Sequence, residues 1–153
     1  MSSETVAIAA DHAGFVLKSP LKEELARLGH AVIDLGTMSE DSVDYPDFAE
    51  QLSEAVGKGR AKFGVLMCGT GIGMSIAANR NPKIRAALCC TPEMARLARQ
   101  HNDANVLVMG GRLMKPETAR ECLRAFLETP FEGGGRHERR IAKLSRQKSM
   151  EER

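Results

Sequence analysis

The chain has 153 residues, with 22 Lys+Arg against 20 Asp+Glu for a formal net charge of +2, and it is 42% hydrophobic, 27% charged and 4% aromatic. This is the composition of one soluble globular domain, here residues 1–153. It excludes a strongly basic surface and offers little aromatic stacking for nucleic acid. No apolar run is long enough to span a membrane. The opening MSSETVAIAADHAG lacks a basic segment followed by an apolar one, so a cytoplasmic location is expected. Cys68, Cys89, Cys90 and Cys122 contain no Cys-x-x-Cys pair and have no histidine at zinc-finger spacing. They read as free thiols, with neither a metal site nor a disulfide framework signalled.

Short apolar runs alternate with stretches whose apolar residues recur at three and four, the mark of alternating strands and helices. Val6–Ala10 is a predicted buried strand. After Asp11-His12-Ala13-Gly14 comes a helix with Leu17, Leu21, Leu25 and Leu28 on one side, ended by Gly29 and carrying Pro20 near its first turn. Ala31–Ile33 is the second strand, and Pro46–Val56 the next helix, with Phe48, Leu52, Ala55 and Val56 inward. The third strand, Phe63–Met67, runs straight into Cys68-Gly69-Thr70-Gly71-Ile72-Gly73. Ala86–Cys89 is the fourth. Thr91-Pro92-Glu93 starts a helix with a capping hydroxyl and proline at the first helical position. Val106–Met109 is the fifth strand, and Pro116 opens a helix with Ala119, Leu123, Phe126 and Leu127 inward that stops before Pro130. Glu132-Gly133-Gly134-Gly135 is a joint to a last polar helix, from about Arg136 to Met150, with fraying expected from Ser149 to Arg153. Five such strands imply a three-layer α/β/α sandwich around a parallel Rossmann-like sheet. The last helix has only Ile141, Ala142 and Leu144 as apolar residues, a poor core stripe that suits packing on a second subunit.

The glycine turn after the third strand carries the chemistry. Three glycines in five residues let the backbone approach a ligand and aim several N–H groups at negative charge. It is no dinucleotide fingerprint and no P-loop, because Met74 stands where those motifs need glycine or lysine. Met74 also takes the place of the arginine of a cysteine-phosphatase loop. What remains is a nest with a thiol at its entrance. Cys68 is either a base or nucleophile whose thiolate the N–H groups favour, or a small residue closing a strand. Asp11-His12 follows the first strand and His101-Asn102-Asp103 precedes the fifth, and both are expected at the rim that carries the glycine turn. The alternatives are a helix-capping pair and ordinary satisfied histidines, as read for His30 and His137. Arg136, Arg139 and Arg140 suit a phosphate or form a solvated face. Residues 1–135 hold 15 Lys+Arg and 17 Asp+Glu, while residues 136–153 hold 7 and 3, so the excess positive charge lies in that last segment.

Taken together, Asp11-His12-Ala13-Gly14, Asp44-Tyr45-Pro46, Cys68 through Gly73, Ala77-Ala78-Asn79, Arg99 through Asp103, Gly110-Gly111-Arg112 and Glu132-Gly133 through Arg136-His137 resemble type B ribose-5-phosphate isomerase. The resemblance runs from about Val6 to Lys148. It implies interconversion of ribose 5-phosphate and ribulose 5-phosphate without metal or cofactor, by homodimers or dimers of dimers whose active sites take residues from both subunits. By the same resemblance Cys68 is the base between C1 and C2, and the N–H groups of Gly69, Gly71, Ile72 and Gly73 hold the enediolate. His101, assisted by Thr70, opens the furanose ring. Asp11 and Asn102 bind sugar hydroxyls, His12, Arg112, Arg136 and Arg140 include the phosphate ligands, and Tyr45 approaches the site. Three glycines at 133–135 stand where the resemblance leads to two. Two alternatives carry different expectations: the same chemistry on allose 6-phosphate, galactose 6-phosphate or a tetrose phosphate, and a non-catalytic sugar-phosphate-binding module.

Overall fold

In a computed structural model, which describes residues 3–151, the elements run β1 (Thr5–Ala10), α1 (Lys18–Arg27), β2 (Ala31–Asp34), α2 (Tyr45–Gly57), β3 (Phe63–Cys68), α3 (Ile72–Ala78), β4 (Ala86–Leu88), α4 (Pro92–Asn102), β5 (Val106–Gly110), α5 (Pro116–Glu128) and α6 (Arg136–Glu151), with a 3-10 turn at Phe15–Leu17. The strands form one sheet in the order β2-β1-β3-β5-β4, and every pair is parallel. Parallel neighbours cannot be joined by tight turns, so each crossover carries a helix over one face. α1, α4 and α5 pack on one side, α2 and α3 on the other. This is the expected three-layer sandwich. Periodicity does not carry strand order, and the structure adds that β5 inserts between β3 and β4.

The local reasons are those of the sequence. In β1, Val6, Ile8 and Ala10 face the α1/α5 side and Ala7 and Ala9 the α2/α3 side. Alternate side chains point to opposite faces, and here both faces are covered, so the run is apolar throughout. Leu17, Leu21 and Leu25 are fully buried under α1. Pro20 is the third residue of α1, in the first turn, where its missing N–H has no intrahelical partner to lose. Gly29 follows at φ +86°. Thr91 caps α4, its hydroxyl accepting the Met94 N–H at 3.2 Å. The buried Glu24 of α1 pairs with Arg27 and, at 3.2 Å, with Arg124 of α5. The Arg27 hydrogen bond leads in holding its carboxyl below the usual carboxylate range.

α6 begins at Arg136 as the sequence suggests. It remains helical through Glu151, so the fraying expected from Ser149 is not seen as far as that residue, and residues 152–153 lie outside the described residues. Its main contact is with α4. Ile141 is only half-buried and Leu144 is 56% exposed, and neither joins a core cluster. No helix among the described residues is long and apolar enough to cross a membrane.

Candidate active site

In a sheet of this kind the direction of winding reverses between β1 and β3, and the crevice at the carboxyl ends of those two strands is where ligands bind. The sequence places its polar residues there. Asp11, buried, follows β1 and donates its N–H to the Met67 carbonyl at 3.1 Å. Its Oδ1 accepts the N–H groups of Ala13 and Gly14 at 3.0 and 2.9 Å, so one carboxylate oxygen does hold the loop in the manner of a cap. His12 Nδ1 accepts the Val43 N–H at 3.1 Å. A neutral ring held that way carries its proton on Nε2, available as a donor.

Cys68 ends β3, 4% exposed, on the side of the sheet that faces α2 and α3. The Gly71 N–H points at its Sγ at 3.1 Å. Thr70 Oγ1 accepts the Ile72 N–H at 3.2 Å, so two N–H groups of the expected nest are engaged within the turn itself. Gly71 lies in the left-handed region at φ +83°, and a Cβ there would meet Leu88 Cδ1 at 2.5 Å. Both the backbone shape and the packing require glycine. Arg112 closes one flank: its N–H donates to the Gly69 carbonyl at 3.0 Å, and its Nη1 would lie 3.3 Å from a Cβ on Gly69. Tyr45 closes the other, its ring Cζ 2.5 Å from where a Gly73 Cβ would stand, so it does approach the turn. Thr70, Ile72 and Arg112 are exposed.

Gly14 fixes the approach of the first loop to the third strand. A Cβ on it would stand 2.4 Å from both the carbonyl carbon and the oxygen of Met67, backbone atoms that cannot swing away. Gly14→Ala is therefore expected to destabilise the chain by about 1–3 kcal/mol, read as a lowered denaturation midpoint, and to displace the Met67-Cys68 end of β3.

The expectation that His101 and Asn102 share this rim is corrected by the structure. In a parallel sheet a residue that follows a strand lies at its carboxyl edge, and one that precedes a strand lies at its amino edge. His101 and Asn102 end α4, just before β5 begins at Val106. The neighbouring Asn105 N–H donates to the carbonyl of Arg85, which precedes β4, and the Gly64 N–H at the start of β3 donates to the Asn105 carbonyl. Within one chain, Cys68 and His101 are therefore separated by the length of β5, about 13 Å at ~3.3 Å per residue.

Arg136 and Arg140 accompany His101. The segment leading to α6 is held to the end of α4 by the Glu132 N–H donating to the Gln100 carbonyl at 3.0 Å and by Gln100 Nε2 donating to Glu132 Oε1. The third glycine is accommodated by a left-handed turn at Gly134, φ +80°, with open space around it, and Glu138 Oε2 accepts the Gly134 N–H at 2.7 Å. Arg136 thereby still starts the helix, one turn before Arg140. The sequence-derived site is thus two groups on one chain: Asp11, His12, Cys68 through Gly73 and Arg112 at the carboxyl edge, and His101, Asn102, Arg136 and Arg140 at the amino edge.

His137 is more than an ordinary histidine. Its ring stacks on that of His101, centroids 4.2 Å apart and planes 12° from parallel. Burial, then the neighbouring His101, Arg136 and Arg140, lower its pKa below the usual imidazole value. Glu132 completes a group in which one ligand atom from each of the three residues lies within 4.8 Å of the others. Sequence spacing signalled no metal site, because these residues are 31 and 5 apart and meet only through the packing of α6 on α4. His30 is a buried structural histidine whose Nδ1 accepts the Glu4 N–H at 3.1 Å.

Cys89 and Cys122 are buried in the core like Cys68, but no glycine turn lies beside them. Burial first, then neighbouring thiols, push Cys89 up to about 12, and burial likewise pushes Cys122 up to about 11. Cys90 is exposed. Three surface hollows, of about 590, 620 and 510 Å³, lie beside α2, along α1 and at the amino edge, and Cys68 lines none of them.

A doubly wound parallel sheet with a glycine turn and polar side chains at the switch between β1 and β3 defines a small-molecule-binding α/β protein. The profile of the ribose/galactose isomerases matches residues 6–144. Ribose-5-phosphate isomerase B of Escherichia coli is 44% identical over 140 residues, covering 92% of this chain and 93% of the relative. A putative sugar phosphate isomerase of Bacillus subtilis, YwlF, is 46% identical over 141 residues, 92% and 94% of the two chains. Among solved structures, a ribose 5-phosphate isomerase of Thermotoga maritima superposes with a TM-score of 0.92 at 54% identity, covering 95% of this chain and 99% of that one. The type B ribose 5-phosphate isomerase of Trypanosoma cruzi gives 0.94 at 42%, covering 98% and 99%. The chain belongs to the ribose/galactose isomerase family.

Proposed function

We propose that this chain is a sugar-phosphate isomerase that interconverts ribose 5-phosphate and ribulose 5-phosphate, and that its working unit is a pair of chains. The family membership and the names of the relatives support the reaction class. The observation that carries the reading is the placement of Cys68: a thiol at the end of the central strand, facing a glycine turn, at the switch point where an α/β sheet binds ligands.

The chemistry needs a base and an oxyanion site. Once the furanose is open, Cys68 as thiolate removes the C2 proton of the aldose, and the electron pair moves onto the C1 oxygen to give an enediolate. The C2 hydroxyl proton passes to the C1 oxygen, and the thiol returns its proton to C1 as the C2 oxygen becomes a carbonyl. Backbone N–H groups of the Gly69–Gly73 turn that are not engaged within the turn itself hold the negative oxygen. A positioned base typically contributes ~10²–10⁴ in rate and one oxyanion donor ~10²–10³. His101, with Thr70, moves the protons of ring opening, Asp11 and Asn102 take sugar hydroxyls, and His12, Arg112, Arg136 and Arg140 hold the phosphate, a remote handle that keeps the sugar in register.

One chain cannot bring Cys68 and His101 to one substrate across the sheet. The pair supplies both: the amino-edge group of one chain closes the carboxyl-edge group of the other, in a homodimer or a dimer of dimers. The under-buried apolar residues of α6 fit such an arrangement.

The test is exchange with solvent. Ribose 5-phosphate incubated with the protein in chelator-treated deuterated buffer is expected to gain deuterium at C2, read by NMR. Thermal stabilisation by the sugar phosphate without exchange would instead favour a binding module. Comparing kcat/KM for tetrose phosphates, ribose 5-phosphate, allose 6-phosphate and galactose 6-phosphate ranks the substrates, with the five-carbon sugar expected first.

A further inference from the structure

The group formed by His101, Glu132 and His137 has no part in the proton transfer beyond His101 itself, yet it presents two imidazoles and a carboxylate within 4.8 Å of one another. We propose that these three side chains form a binding site for a divalent first-row cation, zinc fitting best, and that filling it inhibits the enzyme by occupying His101.

Two imidazoles with one carboxylate are a donor set that zinc takes up, leaving a fourth position for water. Two of the donors are already fixed in place. His101 stands on the last turn of α4, and Glu132 is tied to Gln100 through both backbone and side chain. His137 stands on the first turn of α6, its ring stacked on that of His101. Among the charges that act on these residues, Arg136, Arg140 and Arg96 oppose a cation and Glu132 favours it. The donors must close from 4.8 Å to about 3.4 Å, the edge of a tetrahedron with bonds of ~2.1 Å. The movement this requires is to unstack the two rings and turn their nitrogens toward a common point. α6, whose main contact is α4, can follow. The binding site rests on this geometry alone, whereas the inhibition rests on the role of His101 proposed above.

The experiment is a zinc titration of the chelator-treated protein against a chromogenic chelator, with cobalt as a spectroscopic probe. One zinc per chain is expected, retained in Cys68→Ser and weakened about tenfold or more in both His137→Gln and Glu132→Gln. Cobalt should give visible bands without a sulfur charge-transfer band. Unchanged affinity in the two variants would overturn the site, as would a charge-transfer band abolished by Cys68→Ser, which would put the ion on the thiol. In the isomerase assay zinc should inhibit reversibly, with EDTA restoring turnover and Glu132→Gln requiring about tenfold more zinc or above. Zinc bound as described with turnover unaffected would uphold the site and remove His101 from the acid/base role.

Discussion

Replacing Cys68 by alanine is expected to lower kcat by ~10²–10⁴-fold, the contribution of a positioned base, while KM changes little. The thiol sits at the closed end of the turn, whereas the groups proposed for the phosphate are His12, Arg112, Arg136 and Arg140. Losing a base that acts in the transition state removes rate without removing ground-state binding. The substitution is small at a site only 4% exposed, and the Gly71 N–H then loses its sulfur acceptor. A folded variant by circular dichroism with unreduced kcat would dismiss Cys68 as the base. Cys68→Ser keeps an acceptor for that N–H and is expected to be nearly as slow, because a hydroxyl is a far weaker acid than a thiol.

The second large effect is recovery of activity from two inactive proteins. Cys68→Ala destroys the carboxyl-edge group of its own chain and His101→Asn the amino-edge group, each leaving the other group intact. If a site is built from two chains, a mixed pair contains one site with both defects and one with none. Statistical reassociation of equal amounts should then restore about one quarter of the wild-type sites, a gain of one to several orders of magnitude over either variant alone. A site completed within a single chain allows no native combination, so a mixture no more active than its components would dismiss the shared site. Assaying after subunit exchange in mild denaturant, with each variant treated alone as control, separates the outcomes.

Much of this architecture was legible in the residues. Doubly buried strands are apolar at every position, so β1, β3 and β5 stood out. Prolines at the first turns marked where α2, α4 and α5 begin, and Gly71 announced a turn that only glycine can make. Strand order was not legible, because insertion of β5 between β3 and β4 is decided by which helices pack together, not by the pattern along any one strand. The location of His101 failed for a different reason. Adjacency to a strand says nothing until the strand's direction is considered, and His101 lies at the edge where β5 enters the sheet. His137 and Glu132 look unremarkable in sequence, and only the return of the chain after α5 to the end of α4 gives them significance.

Distance across the sheet has a kinetic corollary. A chain that carries two complementary half-sites on opposite edges can never close one on its own, whatever its side chains do, because the strands between them are rigid. For the proposed pair, turnover belongs to an association equilibrium: at dilutions below the dissociation constant the rate is expected to rise with the square of chain concentration, and above it linearly. In the proposed pair each chain serves two substrates at once, one at each edge, so a defect at one edge disables one of the two shared sites and leaves the other intact.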